Sequence, residues 1–184
     1  LPWNKKLRRW QGRVCFLKRL LKDDQTWPHL SDEGLESSLH QWLAPYLVNM
    51  DRLNDLVRVD LKGALFSILS YGQQKELDAL APTHMVVPSG SRIPIDYGSI
   101  VPVLAVRLQE MFGLSKTPTV AGGRQPLLIH LLSPAGRPVQ ITRDLAGFWE
   151  RGYLEVKKEL KGRYPKHYWP DDPRKAKATA RVRP

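Results

Sequence analysis

An α+β fold is predicted for this 184-residue chain from three changes of period along it. Apolar residues recur at helical spacing through the first 80 residues, alternate with a period of two in parts of residues 83–142, and return to helical spacing over 144–161. The expected architecture is a helical N-terminal part followed by a small, mostly antiparallel sheet. A long C-terminal helix and an irregular arm complete it. In ranges, the expectation is a helical part over 1–80, an α+β domain over 81–162, and a Pro/aromatic arm with a basic disordered tail over 163–184.

The first helix is read from Trp3, Leu7, Trp10, Val14, Leu17 and Leu21, which recur three and four apart and so share one face. Arg8, Arg9, Arg13 and Arg19 lie off that stripe and are expected on a basic outer surface. Trp27 and Pro28 end this unit. Ser31 then precedes Asp32 and Glu33, a capping residue followed by acids that favour the positive end of a helix, and Leu30 is placed to staple onto Leu35. Leu35, Leu39, Trp42, Leu43 and Tyr46 form the expected buried stripe, with Pro45 ending or kinking the helix. A further helix is expected from Leu61 to Tyr71 with Gly72 as its stop, then a short one from Gln73 to Leu80.

After Pro82 the pattern is that of strands. Ile93, Ile95 and Tyr97 alternate with Arg92, Pro94 and Asp96 behind a Pro88-Ser89-Gly90-Ser91 turn. Val101 to Val106 reads as a short buried strand with a helical turn at Leu108 to Phe112. Leu127 to Leu132 and Val139 to Thr142 flank a hairpin loop at residues 133–138, so four or five strands are expected. Asp144 to Lys161 reads as one helix with Gly152 its weak point and Gly162 its stop. Beyond Pro173 the composition is Arg, Lys and Ala with little else, the composition of a disordered tail.

With 42% hydrophobic residues and six Trp, the chain is able to build a core. It starts at Leu1 without a signal peptide, and is expected to be a piece of a longer protein. No apolar run reaches the roughly 20 residues of a membrane span, and Cys15 is alone, so a soluble protein of a reducing, cytoplasmic compartment is expected. Net charge is +11, concentrated at the ends: residues 1–22 hold +8, residues 161–184 hold +6, and the interval between them is slightly acidic. Such an excess suits polyanions, through counterion release, and equally suits a solvated surface.

Catalytic signatures are missing. No Gly-x-x-x-x-Gly-Lys phosphate loop occurs; Ala121-Gly122-Gly123-Arg124 lacks the lysine and reads as a flexible loop. His29, His40, His84, His130 and His167 make no metal-ligand spacing, and Ser89 and Ser91 make no nucleophile elbow. The chain is therefore not expected to be an enzyme by itself, nor to bind a cofactor or metal.

Four blocks carry a resemblance: Leu80 to Tyr97 (LAPTHMVVPSGSRIPIDY), Pro102 to Gly113 (PVLAVRLQEMFG), Leu131 to Trp149 (LLSPAGRPVQITRDLAGFW) and Val156 to Pro173 (VKKELKGRYPKHYWPDDP). In content and order they resemble the C-terminal region of HrpB-type DExH-box ATP-dependent RNA helicases. The resemblance covers most of the chain from Trp27 to Pro173. It implies a parent that hydrolyses ATP with Mg on motor domains outside this piece and acts on RNA. It transfers no ATP-binding residue to this sequence.

Two tasks remain open for the domain itself. In one it extends the path of RNA or another single-stranded nucleic acid. Its candidate residues are Arg92, Arg107, Arg124, Arg137 and Arg143 in or beside the strands, and Lys161, Arg163, Lys166, His167, Tyr168 and Trp169 in the arm, where cations interleave with aromatics. In the other it is a structural module that docks onto the motor domains or another protein. The arm then packs on the body, and the arginines pair with Asp96, Glu110 and Asp144. Residue by residue the structural role is the commoner one; for the whole domain, nucleic-acid association is the expectation.

Overall fold

Asn4 starts the first helix: its Oδ1 accepts the free amides of Lys6 and Leu7, both at 3.0 Å. In the computed structural model, which describes residues 1–23 and 26–184, this helix is α1 (Lys5–Leu20). It belongs to the first of two units, Leu1–Ala81 and Pro82–Pro184. The remaining helices of the first unit are α2 (Asp32–Ser37), α3 (Leu39–Trp42), α4 (Leu61–Phe66) and α5 (Tyr71–Leu80), with 3-10 turns at Ala44–Tyr46 and Leu53–Arg58.

Leu7, Trp10, Val14 and Leu17 are buried, as their spacing requires, and Trp10 stacks on Phe66 of α4 with ring centroids 4.8 Å apart. Arg13 departs from the expected basic outer surface. It is 6% exposed, and its guanidinium donates to Ala81 O (2.5 Å), Leu77 O (3.2 Å) and Asp78 Oδ1 (2.6 Å). The reason is geometric: Ala81 O, at the end of α5, lies beside Leu77 O, which already accepts from Ala81 N (2.9 Å), and beside Asp78, and a planar five-donor group reaches all three at once. Arg8 is also engaged, with Asp32 at 2.6 Å and over the Trp3 ring at 4.0 Å.

The helix expected around Leu35 to Tyr46 is broken at Ser38. The Ser37 and Ser38 hydroxyls both donate to Gly34 O, at 2.9 and 2.7 Å, and compete with the helical ladder. Leu39 consequently leaves the stripe and is 39% exposed, while Trp42 stays buried with Nε1 donating to Leu35 O at 3.0 Å. Gly72 is not a stop. Ser70 and Gln73 form a reciprocal capping box that begins α5 one residue before it.

The second unit is built on a five-stranded sheet in the order β1-β2-β3-β6-β7: β1 (His84–Val86), β2 (Arg92–Asp96), β3 (Val103–Arg107), β6 (Leu128–Leu132) and β7 (Pro138–Thr142). A separate hairpin, β4 (Thr119–Val120) and β5 (Gln125–Pro126), lies within the connection from β3 to β6. All neighbours in the large sheet are antiparallel except β3 and β6. That parallel pair fits the length of its connection, residues 108–127, since parallel strands need a crossover rather than a tight turn. Strand β1 was not foreseen, being three residues between Pro82 and Pro88. It is the first arm of the hairpin that turns at residues 88–91.

The long helix expected from Asp144 to Lys161 is two: α6 (Leu145–Arg151) and α7 (Tyr153–Arg163). The break is at Gly152, whose missing Cβ would lie 2.8 Å from the Phe148 ring, so only glycine lets that ring close against the chain here. The segment after Pro173, expected to be disordered, is placed within the second unit. Gly113 N donates to Pro173 O (2.8 Å), Thr179 N to Gln109 O (3.1 Å), and Tyr168 N to Val182 O (3.0 Å). Thr179 is 6% exposed. These are backbone bonds to groups that burial would otherwise leave unpaired, a requirement that composition does not display. Among the described residues no helix is long and apolar enough to cross a membrane.

The Arg13 clamp gives a direct stability test. Arg13→Met leaves Ala81 O without its donor in a buried site and is expected to cost about 3 kcal/mol in urea unfolding. Asp78→Ala removes only the exposed partner and should cost under about 1 kcal/mol.

Candidate nucleic-acid interface

Alternation along the strands divides the large sheet. Ile95, Leu104, Val106, Ile129 and Leu131 are buried, while Arg92, Pro94, Asp96, Ala105, Arg107 and Ile141 are exposed. Register ties the exposed set together: Ala105 lies opposite His130, His130 opposite Ile141, and Arg107 opposite Leu132. Arg92 begins β2 and Arg107 ends β3. Arg137 sits in the turn from β6 to β7, held by Ser133, whose amide donates to Arg137 O (2.8 Å) and whose hydroxyl accepts from Arg137 N (3.2 Å). Arg143 follows β7. Arg124 is at the tip of the β4–β5 hairpin, where Ala121, Gly122 and Gly123 all have positive φ.

All five arginines are exposed, and the acids expected to pair with them are otherwise engaged. Asp144 caps α6 through Gly147 N (2.9 Å) and meets Arg151 at 3.3 Å. Glu110 is 5% exposed and accepts from the Ser89 hydroxyl at 3.0 Å. Asp96 accepts from Gly98 N at 2.8 Å. Among the described residues none of the five guanidinium groups has an ion-pair or hydrogen-bond partner.

The arm differs. Lys161 and Arg163 close α7, and Arg163 meets Glu159 at 3.7 Å. Lys166 is exposed, with its carbonyl accepting from Arg183 Nε at 3.2 Å. His167 packs edge-on to Tyr164, with centroids 5.8 Å apart. The Tyr168 ring meets Phe112 edge-on at 6.2 Å, and Trp169 Nε1 donates to Tyr164 O at 2.9 Å. These aromatics are half-buried and engaged in packing rather than offered as open faces.

Two residues that the sequence reading passed over fix the arm. Tyr153, 1% exposed, donates its hydroxyl to Pro170 O at 2.7 Å. Burial, reinforced by the charges of Asp171 and Tyr168, pushes the Tyr153 phenol far above the ordinary tyrosine range. Lys157 reaches Asp171 at 2.6 Å, and its ammonium hydrogen bond holds that carboxyl below the usual range. The spacing from Tyr153 to Lys157 on one helix face was the available signal.

Elsewhere the chemistry is sparse. In the first unit a groove of about 420 Å³ lies between residues 28–42 and 67–68, with His29 the titratable group among its described lining residues. Burial raises the Cys15 thiol, the opposite of nucleophile activation. Among the described residues no three His, Cys, Asp or Glu side chains gather as metal ligands.

Residues 42–173 match the family described as ATP-dependent helicase C-terminal, HrpB_C. Over 171 residues the chain is 49% identical to the ATP-dependent RNA helicase HrpB of Escherichia coli, covering 92% of this chain and 21% of that protein. A crystal structure of the E. coli DExH-box NTPase HrpB superposes with a TM-score of 0.87 at 46% identity, over 97% of this chain and 22% of that one. Another, of the E. coli DEAH/RHA helicase HrpB, gives 0.72 at 44% identity, over 92% and 21%. The chain spans about a fifth of the length of these relatives.

Tyr153→Phe is expected to lower stability by roughly 1–2 kcal/mol, because Pro170 O loses a buried donor. The phenol titrates higher in the folded state than in the unfolded one. Its contribution is therefore full below the unfolded value near pH 10 and is lost as pH rises above it. Thermal melts from neutral to alkaline pH should show a steeper alkaline loss in the unsubstituted protein than in the Phe variant.

Proposed function

Because the chain belongs to the ATP-dependent helicase C-terminal family, we propose that it serves an RNA helicase as an accessory domain that holds nucleic-acid backbone, while ATP is hydrolysed by motor domains outside this piece. The observation that carries the reading is the set of exposed, unpartnered arginines on the second unit: Arg92, Arg107, Arg124, Arg137 and Arg143. A guanidinium without a carboxylate partner is open to phosphate, and each phosphate it neutralises releases condensed cations. The half-buried rings of Tyr168 and Trp169 support contact with backbone rather than stacking of bases along the arm.

For the first unit a docking role has its own support. Val48, Leu53 and Val57 are 70%, 85% and 70% exposed, apolar side chains that suit contact with protein more than with phosphate.

Fluorescence anisotropy with a labelled oligouridine tests the reading. Binding by the 184-residue chain should weaken as salt rises, with a log–log slope of about −0.7 for each phosphate neutralised. Absence of binding at low salt would remove nucleic acid from the reading and leave docking.

A further inference from the structure

The unpartnered arginines are not scattered evenly, and the strand register shows where they converge. In the antiparallel pair of β2 and β3, Ile95 lies opposite Leu104 and Asp96 opposite Val103. Continuing that count brings Arg92 to the level of Arg107. Beyond the strands the two chains still keep company, since Ser89 N donates to Glu110 O at 3.3 Å. Arg92 and Arg107 also share a face, because each sits at an alternate position from the buried Ile95 and Val106. Arg107 is in turn level with Leu132, Leu132 with Pro138, and Arg137 adjoins Pro138 in the turn at that end. Three cations therefore line one end of the sheet, on β2, on β3 and at the β6–β7 turn. With strands about 4.8 Å apart, the row spans roughly 15 Å across them.

The surroundings favour a polyanion there. The acid at this end, Glu110, is buried and tied to Ser89, while Asp96 stands at the far end of β2 about four residues along. The face that Arg92 and Arg107 share also offers Ala105, His130 and Ile141, a surface of low charge with Ile141 55% exposed. Arg143 is at the opposite end beside Asp144, and Arg124 is on the separate hairpin.

We propose that Arg92, Arg107 and Arg137 form a phosphate-binding row, over which the backbone of a single-stranded nucleic acid crosses the sheet at a steep angle to its strands. This rests on the nucleic-acid reading above and narrows it to one end of the sheet. Geometry separates the row from the other two arginines; charge alone does not.

The test compares salt titrations of oligouridine binding for the unsubstituted chain, for Arg92→Gln/Arg107→Gln/Arg137→Gln, and for Arg124→Gln/Arg143→Gln. The triple variant is expected to flatten the log–log slope by about 2, and the double variant by much less than its share of charges. Arg107→Lys should keep the slope, since a point charge still neutralises phosphate. Thermal melts should be unchanged throughout, as these side chains are exposed and unpartnered. Should the triple variant melt early, the single Arg92→Gln and Arg107→Gln variants should each flatten the slope by about 0.7. A loss proportional to the number of arginines removed, wherever they lie, overturns the row and keeps the nucleic-acid reading. An unsubstituted chain that binds no oligouridine at low salt overturns both.

Discussion

Phe112 is the contact on which the second unit depends. Its ring is fully buried, and three others close on it: Trp149 at 6.0 Å, Tyr153 edge-on at 6.1 Å and Tyr168 edge-on at 6.2 Å. One residue thereby joins the turn after β3, the α6–α7 pair and the arm. Edge-to-face pairs of this kind contribute about 0.5–1.5 kcal/mol each beyond the area they bury. The polar atoms around the junction are held by it: Trp149 Nε1 donates to Leu114 O at 2.8 Å, and the Tyr153 hydroxyl takes Pro170 O.

The sheet divides core from surface. A strand period of two sends Ile95, Leu104, Val106, Ile129 and Leu131 into the core and leaves their neighbours outside. A one-residue slip in register would bury Arg107 and expose Val106, at a cost of several kcal/mol for an unpaired buried charge. The packing that stabilises the fold and the presentation of cations are thus set by the same register.

What could be read from sequence follows the same logic. The fold class, the strands at 92–96, 103–107 and 128–132, and the resemblance in the blocks from Leu80 to Pro173 were legible, because periodicity and long unusual strings are local signals. The break at Ser38 was not legible, the expected stop being Pro45, whereas the one at Gly152 was legible as a weak point. One depends on hydroxyls competing for Gly34 O, the other on where the Phe148 ring lies. Arg13 was misplaced because a helical-wheel argument treats arginine as solvent-facing, whereas the α5 carbonyls provide buried acceptors more than sixty residues away. The placement of 174–184 was illegible, since it rests on main-chain bonds such as Thr179 N to Gln109 O that side-chain composition does not encode.

Net charge proves a poor guide to where an anion is met. The two ends of the chain hold the excess, +8 and +6, yet much of it is committed internally. Arg8 meets Asp32, Arg13 is sealed against α5, Arg163 meets Glu159, and Arg174 lies between Glu150 and Asp172. The interval between the ends is net acidic, but many of its acids are spent on capping, turns and ion pairs: Asp144 on α6, Asp60 on Gly63 N, Asp96 on Gly98 N. Each carboxylate that accepts a backbone amide is one less competitor for arginine. An unpartnered guanidinium keeps its full attraction for an incoming phosphate, whereas a paired one has first to give up its carboxylate. Electrostatic recognition is thereby carried by the distribution of unsatisfied donors, and five of them lie in the interval where the sum of charges is least suggestive of them.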